Sequence, residues 1–143
     1  MQKSALLLSL AASLVLTGCV TTWDAQKTTV IPTSVGIIHN PKVRVAYALP
    51  SIQRSLLKHD IESVVCETEE ACKDQDFILK YVAYHTWDIA MYLKEAELWL
   101  YQDGKLIGTS KLHTYPWNLT KWANNEERME NLVDELLGKK IDK

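Results

Sequence analysis

The sequence predicts an α+β two-layer domain: a mixed sheet of about five strands in the order β-α-β-β-β-β-α, with two helices on one face. Three observations predict it. From Phe77 to Trp87, and again from Met91 to Tyr101, side chains alternate with period two over lengths too great for a turn, as sheet strands do. Asp103-Gly104 follows the second run and precedes a third, Lys105 to Leu112, which is a hairpin signature. Met129, Leu132, Val133, Leu136 and Leu137 fall at i, i+3, i+4, i+7 and i+8, the stripe of an amphipathic helix.

At the amino end, Lys3 precedes an apolar run from Ala5 to Leu16, closed by Leu16-Thr17-Gly18-Cys19. That pattern resembles the lipobox of bacterial lipoproteins, and the run is too short and too soon interrupted by Thr21, Thr22 and Asp24 for a spanning helix. The resemblance implies that Cys19 is lipidated, that residues 1–18 are a signal peptide, and that acyl chains attach the protein permanently to a membrane. Val20 rather than Asp after the cysteine implies the periplasmic face of the outer membrane. Residues 19–34, rich in Thr with Pro32, read as a lipidated cysteine and flexible tether, and 35–143 as one globular domain.

Within that domain, Val35 to His39 reads as a first strand and Asn40-Pro41 as the cap and first turn of a helix. Its apolar stripe runs through Val43, Ala46, Tyr47, Leu49, Ile52, Leu56 and Leu57, and Pro50 either kinks it or opens a second segment. Ile61 to Val65 is the second strand, so a parallel crossover is expected. The three long strands follow, with Gly108 a point of bulge or close approach. Thr120 is the expected cap of the last helix and Gly138 its end.

The formal charge is −2, and loss of residues 1–18 removes only Lys3 and leaves −3. No basic run occurs, which argues against nucleic acid as a ligand. Beyond Cys19 the cysteines are Cys66 and Cys72, an even pair in an oxidising compartment, so a disulfide is expected. Closing a loop of that size stabilises by at most roughly 2.4 kcal/mol. Their spacing is not that of a zinc site, His39, His59 and His113 are scattered, and neither a metal nor any cofactor is expected.

With Cys19, Asn40-Pro41, the strand Leu79 to Asp88, Asp103 to Gly108 and the Leu132-Val133 helix on the page, the chain resembles a small family of proteobacterial lipoproteins of unassigned function. More distantly it is similar to the amino-terminal domain of the Tol-system β-propeller protein, the curli secretion lipoprotein, and lipoprotein activators of penicillin-binding proteins. Those relatives act by binding proteins, and the resemblance implies a binding module.

Two groups of residues are candidates for more than packing. His85 and Asp88 could form a histidine-carboxylate pair, but without a nucleophile at a recognisable spacing Asp88 reads as a turn residue and Trp87 as sheet packing. Tyr115, Trp117 and Trp122 are aromatic residues in or just after one loop, a contact site if exposed and satellite core if buried. The expected function is therefore a non-enzymatic, lipid-anchored accessory or regulator that binds a protein in the envelope. The rivals are an exclusion or immunity lipoprotein, and a small-ligand or cell-wall binder using Trp87, Trp99 and Tyr101.

Overall fold

A computed structural model describes residues 21–139; Cys19 and the signal segment 1–18 lie outside the described residues. The elements are β1 (Thr21–Gln26), β2 (Ser34–Ile38), α1 (Ala48–Lys58), β3 (Glu62–Cys66), a 3-10 turn (Glu70–Cys72), β4 (Phe77–Asp88), β5 (Ala90–Gln102), β6 (Lys105–Thr114) and α2 (Asn125–Leu137). They build one six-stranded sheet in the order β1-β6-β5-β4-β2-β3. β2 runs parallel to both of its neighbours, and the other pairs are antiparallel. The class is the expected mixed α+β sheet with two helices, with one strand more than five.

Leu79, Tyr81 and Ala83 of β4, Ala96, Leu98 and Leu100 of β5, and Leu112 of β6 form a single buried cluster with Ile52 and Leu56 of α1 and Met129, Leu132 and Leu136 of α2. The helices lie side by side on that face. Ser55 donates to the Glu130 carbonyl at 3.1 Å, and Arg54 and Lys58 both engage the Glu130 carboxylate. Burial pushes the Glu130 pKa upward, but the hydrogen bonds from Lys58 and Arg54 outweigh it and hold the carboxyl below its ordinary range.

The additional strand corrects the reading of a flexible tether. Thr21 to Gln26 pair in register with Thr114 back to Thr109, so the folded domain already includes residue 21 and does not start at 35. Its polar pattern hides it, because an edge strand is held by backbone pairing with little burial of its own. The chain stays attached beyond the strand. The Thr28 amide donates to the Leu136 carbonyl at 2.9 Å, and a Cβ on Gly108 would meet Leu136 Cδ1 at 2.9 Å and the Thr28 nitrogen at 3.1 Å. Gly108 is therefore the close-approach point that its position in a strand implied.

Both helix starts also differ. Asn40 accepts from the Lys42 amide at 3.1 Å and donates to the Tyr81 carbonyl at 3.1 Å, an Asx turn rather than a cap. The helix begins at Ala48, which puts Pro50 in the first turn, where its missing N–H is no loss. Thr120 likewise is engaged elsewhere, its amide and hydroxyl both donating to Asn118 Oδ1 at 2.9 Å. Asn124, at φ 54°, precedes α2 instead. The other end is as expected: Gly138 at φ 67° closes α2, with Gly138 N–H to Glu135 and Lys139 N–H to Asp134.

Cys66 and Cys72 are disulfide-bonded, with their Cα atoms 5.7 Å apart. The bond holds the 3-10 turn over β2. A Cβ on Gly36 would stand 2.5 Å from Cys72 Sγ, so the turn can approach the sheet only over a glycine.

Candidate functional site: an apolar sheet end and an uncovered sheet face

β4 and β5 run past the end of β6. The last β5–β6 pair is Glu95 with His113, so Ala90 to Lys94 extend beyond it with their β4 partners. The loop after β6 folds against this extension. Lys121 is buried, and its ammonium donates to the Asp88 carboxylate and the Pro116 carbonyl while lying over the rings of Trp122, at 4.6 Å, and Tyr92, at 5.3 Å. Trp122 Nε1 donates to the Asp88 carbonyl at 2.6 Å. Asn118 Nδ2 donates to Thr21 Oγ1 at 3.0 Å and joins the same loop to the first residue of β1.

This latched base carries apolar side chains into the open. Leu119 is 83% exposed, Ile89 78%, Trp87 70%, Trp117 61% and Met91 46%. Single exposed apolar residues are ordinary, but five at one end of a sheet form an apolar surface cluster. The turn itself is conformationally costly. Ile89 sits between the paired residues Asp88 and Ala90 at φ 66°, a left-handed conformation that a β-branched side chain disfavours.

The expected residues separate. Trp117 is exposed, and Tyr115 stacks on it with ring centroids 4.8 Å apart. Trp122 is half-buried and serves as a strut. Trp87, expected to pack in the sheet, is exposed instead, because its pair with Met91 lies past the end of β6 and no described residue buries it. The Asp88 carboxylate is taken by Lys121 rather than by His85, so the two are not brought together as a pair; His85 stands beside Lys42, Arg44 and Tyr84. Trp99 and Tyr101 lie near the opposite end of β5 from Met91, the partner of Trp87, so the three aromatics considered for sugar stacking do not converge. Sequence reasoning missed Lys121, Ile89, Met91 and Leu119. The uninterrupted apolar trio Ile89-Ala90-Met91 inside an expected turn was the signal that could have found the tip.

The second feature is the sheet face away from the helices. Thr22, Asp24 and Gln26 of β1 sit in register with His113, Lys111 and Thr109 of β6, and these with Glu95, Glu97 and Trp99 of β5. Lys111 bonds Glu95 at 2.9 Å and stands 3.8 Å from Glu97. The hydrogen bond from Lys111 lowers the Glu95 pKa and, reciprocally, raises that of Lys111. Tyr84 is exposed on the same face, and Lys80 lies 5.1 Å from the ring of Tyr101.

No family model matches the chain, and no curated protein matches it. Two solved structures share the fold. The PelC dodecamer from Paraburkholderia phytofirmans has a TM-score of 0.59 at 12% identity, over 82% of this chain and 96% of that one. A leucine-to-methionine variant of the same dodecamer has a TM-score of 0.59 at 8% identity, with the same coverage.

Proposed function

We propose that this chain is a lipid-anchored bacterial lipoprotein of the periplasmic face of the outer membrane, acting without catalysis as a protein-binding accessory or regulator. The observation that carries the binding reading is the half-covered sheet. Helices cover one face, while the other presents the aromatic side chains of Tyr84, Trp99 and Tyr101 among charges that are already paired, and aromatic residues are those enriched at protein contacts. The lipobox-like segment supplies the location, and the similarity to protein-binding lipoproteins points the same way. The structural neighbours are dodecamers, so a second copy of the chain is one of the partners a test must detect.

Crosslinking the lipidated protein in native envelopes tests it, with a Tyr84→Ala, Lys111→Glu double variant as the comparison. Tyr84 is exposed and Lys111 half-buried beside Glu95 and Glu97, so a melting curve of the variant first establishes that its fold persists. One dominant crosslinked species, at the mass of a dimer or of a second protein and lost in the variant, is the expected result. A species retained in the variant moves the contact off this face. No species above that of an unrelated lipoprotein ends the binding reading.

A further inference from the structure

The place where β1 begins decides what the apolar sheet end faces. Thr21 pairs with Thr114, the last residue of β6, so the amino end of β1 lies at the end of the sheet past which the β4–β5 extension projects. One residue, Val20, separates Cys19 from Thr21, so the chain can carry the Cys19 backbone no more than about 7 Å beyond Thr21. The β4–β5 turn projects further: β6 ends at Thr114, level with the bulged Lys94, and the four residues Ala90 to Leu93 at about 3.3 Å each carry the turn roughly 13 Å past it. With Cys19 at the membrane surface, the turn at Ile89 therefore reaches about 6 Å or more past the Cys19 backbone, within the roughly 5–10 Å depth at which interfacial apolar groups settle.

We propose that Trp87, Ile89, Met91, Trp117 and Leu119 form a membrane-contact surface that enters the headgroup–acyl boundary of the bilayer holding Cys19. The proposal rests on the lipid-anchor reading of Cys19. The chemistry of the end fits a bilayer. Trp87 and Trp117 are amphipathic rings suited to the headgroup level, and Ile89 and Leu119 are aliphatic tips. Asp88, the acidic group of the turn, is neutralised by buried Lys121 and presents no unpaired charge to lipid. Ile89 keeps an aliphatic side chain at a backbone position where glycine would be relaxed. The paired β1 leaves no slack, so the domain is held against the bilayer with its orientation set and its uncovered face turned sideways to the periplasm.

The test is tryptophan fluorescence of the full lipidated protein in phosphatidylethanolamine–phosphatidylglycerol vesicles containing lipids brominated near the headgroup end of the acyl chains. The expected result is quenching in the wild type, lost for the most part in the Trp87→Phe, Trp117→Phe double variant and retained in Trp99→Phe. Equal quenching in the wild type and the double variant overturns the proposal, as does loss in Trp99→Phe alone, which would lay the uncovered face on the membrane. An unquenched wild type whose Trp117 loop crosslinks to a protein in native envelopes overturns it in favour of a protein partner. Intact mass separates failure of the anchor from failure of the surface. If Cys19 carries no lipid, vesicle co-sedimentation of the unlipidated chain decides: binding weakened in the double variant keeps the surface, and no binding ends it.

Discussion

The two turns of the β4–β5–β6 meander are made of opposite materials. At one end of β5, Asp103 and Gly104 take φ 49° and 75°, the pair of positive values that a two-residue hairpin turn needs, in residue types that accept them, and Lys105 beside them is exposed. At the other end, Ile89 takes φ 66° against the preference of its side chain, between the exposed Trp87 and Met91, and the turn is braced by Lys121 and Trp122. The first turn obeys every local rule and faces water. The second breaks two, a β-branched residue in a left-handed conformation and a cluster of exposed apolar groups, and is held by contacts from thirty residues away. A place where a fold violates local rules and then reinforces the violation marks a candidate functional site, and the membrane contact proposed above is what a test of this turn must address.

The largest test of the contrast is Lys121→Ala, which removes the brace and leaves Asp88 and the Pro116 carbonyl without their donor. A loss of about 2 kcal/mol is expected for charge-assisted bonds of this kind, read as a lowered melting temperature. No loss would mean that the tip stands without its latch. Gly104→Ala at the other turn should cost about 1 kcal/mol, because alanine must take the left-handed conformation there. Ile89→Gly should act with the opposite sign, raising stability by up to about 1 kcal/mol as the strained conformation is relieved, while weakening membrane contact. A fall in stability would show that Ile89 is packing rather than display.

The smallest expected effect lies between the two turns. The Glu95 carboxyl is held below its ordinary value of 4.5 by Lys111, so its contribution is present above that pH and is lost as pH falls through the depressed value. Glu130 acts with the same sign. Glu95→Gln should flatten the acid limb of a stability–pH curve slightly and leave the neutral plateau intact. An unchanged acid limb would show that the Lys111 pair is screened to nothing, as exposed pairs often are.

The legible parts of the fold were those with a repeating pattern. The strand alternation from Phe77 to Trp87, the Asp103-Gly104 turn, the α2 stripe and the Gly138 end all stood as read. Thr21 to Gln26 did not, because an edge strand that buries almost nothing carries no pattern. Nor did the starts of α1 and α2: Asn40 and Thr120 are good capping residues, and both found competing partners, Tyr81 and Asn118. At the sheet end, the Tyr115–Trp117 loop was visible as a concentration of aromatics, but whether those rings were core or surface was not.

The sequence by itself determined the elements whose spacing meets a helix or sheet period, the hairpin at Asp103-Gly104, and the cysteine pair available for a disulfide. These follow from backbone geometry and side-chain placement over a few residues, which are written locally. Only the tertiary structure decided that Thr21 pairs with Thr114, that Lys121 reaches Asp88, and that Trp87 and Trp117 remain exposed at the end from which the chain leaves toward Cys19. Each of those depends on residues far apart in the chain meeting in space, and burial is a property of that meeting rather than of the residue.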